Sequence, residues 1–223
     1  MSPQKPNIKQ IYIALHQQQG AQGWWPAESK FEIIVGAVLT QNTAWTNVEK
    51  AIQSLKKQNL LTAQAILACS RPELAKHIRS SGTFNIKAKR LHAISQWYFT
   101  HGEFAGISNW PTANLRQSLL AVHGVGAETA DAIILYVFER AVFVVDAYTK
   151  RLFVRLGLAE NDIDYRSLQA LFESSLQSDT ALFAKYHAHI VEHAKYICKV
   201  QPHCERCVLR KWCDFYANAN QVV

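Results

Sequence analysis

The chain of 223 residues contains no run of 18 apolar residues, which excludes an ordinary membrane-spanning helix. Its opening residues, Met1-Ser2-Pro3-Gln4-Lys5, lack the apolar stretch of a secretory signal, so none is expected. Reduced thiols and a cytoplasmic home follow as expectations. Charged residues are 18% of the chain, too few for a disordered polymer. There is no internal repeat, low-complexity tract or long linker. β-structure is nearly missing as well: the one strand-like run, Val142 to Val145, is short and isolated, and reads as an extended link between helices.

What is present is helical and basic. Half the residues (49%) are hydrophobic, enough to build a core. Phe31 to Leu39 is apolar on almost every face, the pattern of a buried helix. Ala63–Leu67, Ala88–Phe99 and Leu115–Val122 read as further helices. Ala130, Ile133, Ile134, Val137 and Phe138 recur at i, i+3, i+4, i+7 and i+8, one buried stripe. Leu152, Phe153 and Leu156 repeat it on the next helix. An all-α fold is predicted. The net charge of +7 attracts polyanions, nucleic acid first among them.

Four features carry chemistry. Val122-His123-Gly124-Val125-Gly126 lies between two helices; its glycines allow a tight turn and close approach of backbone N–H groups to a phosphate, at the positive end of the following helix. An ordinary helix–helix turn would look the same. Asp146 ends the apolar run and begins the helix of Tyr148 to Leu156. It suits an N-cap, and equally a carboxylate that activates water or stabilises a sugar cation. Six tryptophans are many for this length, and Trp24-Trp25-Pro26 and Trp45 offer flat faces for a flipped or cationic base, if they are not simply core. Cys198, Cys204, Cys207 and Cys213 are spaced C-x5-C-x2-C-x5-C, which suits zinc or an iron–sulfur cluster. His189-Ile190-Val191-Glu192-His193 matches a zinc-peptidase pattern but has no evident third ligand. Cys69 stands apart and reads as core.

The stretch Leu120 to Asp131, with Val145-Asp146-Ala147-Tyr148-Thr149, resembles the endonuclease III family of helix–hairpin–helix DNA glycosylases, from about Phe31 to Cys213. The resemblance implies two helical lobes: 1–30 with 141–223, ending in a loop at 198–213, and a barrel-like lobe at 31–140 holding the hairpin motif at 113–138. It implies that Asp146 is catalytic, and that Cys198, Cys204, Cys207 and Cys213 hold a 4Fe–4S cluster, though the family's first gap is one residue longer. DNA contacts are expected from His123, Gly124, Val125 and Gly126, from Gln41 filling the space of a flipped nucleotide, from Thr83 and Phe84 in a wedge loop, and from Lys87 and Lys150. Trp24-Trp25-Pro26, the run Gly36 to Thr43 and the helix start Glu128 to Ile133 resemble the 3-methyladenine DNA glycosylase III branch. That places Trp24, Trp25, Pro26, Trp45, Glu128, His189 and Lys195 around the base pocket.

Two departures matter. Bifunctional members carry a lysine at the position of Glu128, and a carboxylate forms no imine. The 3-methyladenine branch typically lacks the cluster cysteines and has phenylalanine in place of Trp45. The expectation is therefore a monofunctional glycosylase for alkylated purines, monomeric and nucleoid-associated, acting on double-stranded DNA. The alternatives are a glycosylase for oxidised or mismatched pyrimidines and a non-catalytic damage sensor.

Overall fold

The computed structural model describes residues 5–20 and 25–219. Its helices are α1 (Ile8–Gln19), α2 (Lys30–Leu39), α3 (Trp45–Lys57), α4 (Ala63–Ala68), α5 (Arg71–His77), α6 (Phe84–Thr100), α7 (Glu103–Ile107), α8 (Thr112–Leu120), α9 (Ala127–Tyr136), α10 (Ala147–Arg155), α11 (Tyr165–Ser175), α12 (Thr180–Tyr196) and α13 (Asp214–Ala219). No strand occurs among the described residues; in the Val142–Val145 link the Phe143 N–H donates to Glu173 at 2.9 Å and the Val145 N–H to the Tyr165 hydroxyl at 3.5 Å. None of these helices is long and apolar enough to cross a membrane. The chain divides into two compact units, one of residues 1–24 with 141–223 and the other of residues 25–140.

The unit of 25–140 is built on α2. Ser29 starts that helix, its hydroxyl accepting from the Glu32 N–H at 3.1 Å. Phe31, Ile34, Val35, Ala37, Val38 and Leu39 are all buried, so the helix has no solvent face. It packs on α3, α6 and α9. Glu32 is buried too, and is tolerated because Lys56 meets its carboxylate at 3.0 Å and the Glu28 N–H donates to it at 3.0 Å. α8 and α9 are cross-tied by a bidentate pair: Arg116 donates to both oxygens of the fully buried Asp131, at 2.6 and 3.0 Å. The stripe from Ala130 to Phe138 is buried throughout, although α9 ends before its last two members.

In the other unit α12 packs on both α1 and α10. Its core is aromatic: Phe143 stacks on Phe172 with centroids 3.9 Å apart, and Phe153, Phe183 and Tyr186 surround them. The buried Tyr186 hydroxyl donates to the Ile8 carbonyl at 2.9 Å. Asn7, Asp146, Asp164 and Asp179 each cap the helix that follows, at about 1 kcal/mol apiece. Cys69 ends α4 half-buried; it is not a core residue.

Candidate functional site

In the unit of 25–140 the turn between α8 and α9 is closed by Val125 N–H donating to the Val122 carbonyl at 3.1 Å. Gly124 has φ +84°, and a side chain there would run into the aliphatic part of Arg90. Gly126 is different: it is extended, and open space surrounds the position of a Cβ. Conformation and packing both permit a side chain at 126, so the glycine leaves the N-terminal end of α9 uncovered. No side chain caps that end. His123 is exposed, whereas the Val125 side chain is buried and anchors the turn. Glu128 is exposed in the first turn of α9, where the helix dipole favours a carboxylate.

Gln41 is drawn onto this turn. Its amide donates to the Gly124 carbonyl at 3.0 Å and the Thr129 hydroxyl at 2.9 Å, and its carbonyl accepts from Arg90. The residue expected to probe a duplex thus has its amide bonded within its own unit. Thr83, at φ +36°, and Gly82 are exposed ahead of α6, with Phe84 half-buried behind them.

Lys87 requires a correction. It is fully buried, and its ammonium donates to the Leu39 carbonyl at 2.8 Å and to the Thr43 hydroxyl and Ser81 carbonyl at 2.6 Å each. Burial, aided by Arg90, pulls its pKa down to about 8. It ties the end of α2 to the 81–83 loop and does not offer charge to a phosphate. Sequence spacing put it beside Lys89 and Arg90, but the inward face of α6 claims it.

Trp25, Trp45 and Tyr136 come together in this unit. Trp25 meets Trp45 edge to face, centroids 5.5 Å apart at 73°, and lies against Tyr136 at 5.2 Å. Gly36 makes this possible, since a Cβ there would come within 3.1 Å of the Trp25 indole. Trp25 holds φ +61°, strained for a bulky residue, and its indole N–H is buried without an acceptor. The Trp45 N–H reaches Glu49 at 2.8 Å. An edge-to-face pair in contact leaves no slot between the rings. Pro26 is exposed beside it, and Trp24 lies outside the described residues. Tyr136 went unread because nothing in the sequence says which face of α9 turns toward Trp25.

In the other unit Asp146 caps α10. Its Oδ1 accepts from both the N–H and the hydroxyl of Thr149, each at 2.7 Å. Its Oδ2 lies 3.5 Å from His187 Nε2 on α12, and the Asp146 side chain is 12% exposed. Burial alone would raise its pKa; the His187 contact and charge, then the two bonds from Thr149, outweigh that and hold the carboxyl below its ordinary value. His187 was missed in the sequence, 41 residues beyond its partner.

His189 and Lys195 were expected at a base pocket. His189 is instead buried between α12 and α1, bonded to Gln19 at 2.8 Å and His16 at 3.1 Å. Burial, with the charges of His16 and Lys185, lowers its pKa to about 4. Its neighbour in the peptidase-like pattern, His193, faces Cys207 Sγ at 3.4 Å, so the two histidines serve different partners. Lys195 lies over the Tyr196 ring at 4.8 Å. Lys150 donates to the Ile163 carbonyl at 2.8 Å.

Cys198, Cys204, Cys207 and Cys213 line one cavity, walled also by Leu152, Leu209 and Phe215. Short 3₁₀ turns at Cys204–Arg206 and Arg210–Trp212 fold the loop around it. All four are free thiols. Burial pushes the Cys207 thiol up to about 12 and raises Cys204 and Cys213 as well. Arg155 donates to Cys198 Sγ at 3.3 Å. Among the described residues no three potential ligands gather tightly enough to hold a single metal ion.

Residues 35–178 match the family model of the HhH-GPD superfamily base excision DNA repair proteins. A Methanocaldococcus jannaschii protein described as a DNA repair glycosylase is 43% identical over 209 residues, covering 92% of this chain and 95% of that one. Endonuclease III of Rickettsia conorii is 29% identical over 198 residues, covering 86% and 87%. The 3-methyladenine DNA glycosylase of H. pylori, solved with 1,N6-ethenoadenine, superimposes with a TM-score of 0.75 at 32% identity, over 85% of this chain and 98% of that one. An endonuclease III trapped on DNA gives a TM-score of 0.80 at 22% identity, a likeness of fold, over 95% and 98%.

Proposed function

This chain belongs to the HhH-GPD superfamily of base excision DNA repair proteins, and from that premise we propose that it is a monofunctional glycosylase releasing alkylated, 3-methyladenine-like purines from duplex DNA. The observation that carries the reading is Asp146: a largely enclosed carboxylate kept ionised, with one oxygen pinned by Thr149 and the other turned away from α10. Such a group orients a water and stabilises the positive charge that develops on the sugar as the bond to the base breaks.

The substrate class rests on Trp25, Trp45 and Tyr136. An alkylated purine is flat and cationic, and indole faces attract both properties. A base already carrying positive charge leaves without strong acid assistance, so a stacking pocket and one carboxylate suffice. Reception of a ring between Trp25 and Trp45 requires the edge-on pair to part. The likeness to the H. pylori enzyme supports this choice. Glu128 supports hydrolysis without strand cleavage, since the exposed position at the head of α9 offers no amine. Gly124 and Gly126 would grip a phosphate through backbone N–H groups, Gln41 would enter the duplex, and Thr83 and Phe84 would wedge it.

The chemistry of the four cysteines suits a cluster. Burial disfavours free thiolates at Cys204, Cys207 and Cys213, and a cationic inorganic core is what would hold the four sulfurs together as thiolates. Their sequence spacing and their placement around one cavity support a 4Fe–4S group. Such a group would supply cross-linking of the 198–213 loop.

The test is base release from methylated duplex, set beside oxidised and deaminated duplexes, with purified protein. Release of methylated purines with intact strands is expected. Release confined to oxidised or mismatched pyrimidines would overturn the substrate class, and strand cleavage coupled to release would overturn the monofunctional assignment.

A further inference from the structure

Asp146 is held from two directions. From α10, Thr149 takes Oδ1 twice, at 2.7 Å each. From α12, the His187 ring approaches Oδ2 at 3.5 Å, with its side chain 7% exposed. A carboxylate fixed at one oxygen still turns about its terminal bond, whose torsional preference is broad. A second group facing the other oxygen, from a different helix, narrows that freedom. The helix that carries His187 is long and anchored on both sides, through Tyr186 to Ile8 and through His189 to His16.

We propose that His187 is the positioning residue of Asp146, fixing the plane of the carboxylate from a second helix; this rests on reading Asp146 as the catalytic carboxylate. The groups around Asp146 are few. α10 supplies Thr149 and α12 supplies His187, while from α11 the Tyr165 phenol meets the neighbouring Val145 N–H at 3.5 Å. Lys150, the nearest cation along the chain, is turned to the Ile163 carbonyl. Of the side chains on these helices, His187 and then Thr149 hold this carboxyl below its ordinary pKa. Its aromatic ring is rigid, so it sets a fixed distance that a lysine tail would not.

The test compares His187→Leu, which keeps bulk but offers no N–H, with His187→Gln, which retains a donor. Asp146 is followed in the free protein by carbon NMR of its carboxyl, assigned through Asp146→Asn. It should titrate at higher pH in His187→Leu than in the wild type, and move back toward the wild-type value in His187→Gln. Single-turnover base release from methylated duplex should fall on the order of 10²-fold in His187→Leu, with DNA affinity unchanged and the acid limb displaced upward, and should recover in part in His187→Gln. An unmoved Asp146 titration in His187→Leu overturns the proposal whatever the activity. Equal rate losses in both variants, tracking a lowered melting temperature, also overturn it, because they mark a packing role. A wild type inert on every duplex would remove the catalytic reading of Asp146, while the carboxyl titration would still decide the contact.

Discussion

At the scale of single residues, Asp146 serves two ends at once, as a helix cap and as the proposed catalyst, and one substitution separates them. Asparagine caps helices as well as aspartate does. Asp146→Asn should therefore melt within a few degrees of the wild type and bind duplex with unchanged affinity, yet release base at least about 10³-fold more slowly. Activity near the wild-type rate would refute its role. The same carboxyl leaves a pH signature in stability. Its folded-state pKa lies below the unfolded value of about 3.9, so its contribution is fully present above that pH. The contribution is lost as pH falls through the lower folded value. The advantage of the wild type over Asp146→Asn should accordingly vanish in strong acid, as read by denaturant unfolding. At Glu128, replacement by lysine should create some strand cleavage alongside base release, visible on a denaturing gel. Unaltered products would show that an amine at this position does not reach the sugar carbon.

At the scale of elements, the two hairpin glycines should respond in opposite ways. Gly124→Ala forces a side chain into a left-handed backbone and against Arg90, and should cost about 1–3 kcal/mol of stability. Gly126→Ala meets no neighbour and no strain, so the melting temperature should hold while duplex affinity drops. If both variants bind DNA normally, the hairpin is only a turn. The contact of α1 with α12 carries a pH dependence of its own. His189 is neutral when folded, with its pKa lowered to about 4 against about 6.5 unfolded. The unfolded chain takes up the proton first, so stability from this site is complete above about pH 6.5 and declines as pH falls toward 4. His189→Gln should flatten that part of the melting curve against pH.

These elements also show what the sequence could reveal. α2, the α9 stripe, the α10 cap and the 142–145 link outside any helix are legible because each follows from local chemistry: an apolar run, a period, an N-cap, a short β-branched stretch. The apolar pattern marks α6 but not its inward face, so sequence alone suggests a phosphate contact at Lys87 where Thr43 and Ser81 enclose it. Tyr136 and His187 escaped for the same reason, because pairing between helices distant in sequence leaves no periodic trace. His189 was misread because a likeness of position carried it toward a pocket, whereas Gln19 and His16 hold it in the core.

At the scale of the whole molecule, the net charge of +7 makes salt a reagent. The logarithm of duplex affinity should fall linearly with the logarithm of salt concentration, with a slope set by the number of phosphates neutralised. Lys87→Met should leave that slope unchanged, since the ammonium faces inward. Iron should accompany the purified chain with broad visible absorption, and its chelation should lower the melting temperature of the unit that carries the four cysteines. A colourless, zinc-loaded preparation of equal stability would overturn the cluster assignment.

One of the two units is assembled from chain segments more than a hundred residues apart. The Ile8 carbonyl waits for Tyr186, and His16 for His189. On a ribosome adding about 5–20 residues each second, α1 emerges many seconds before its partner α12 exists, while residues 25–140 can already collapse around α2. The nascent chain must carry the apolar side of α1 without its partner through most of synthesis. The rest of that helix is polar, with glutamines at 10, 17, 18 and 19, which limits the apolar surface exposed in the interval.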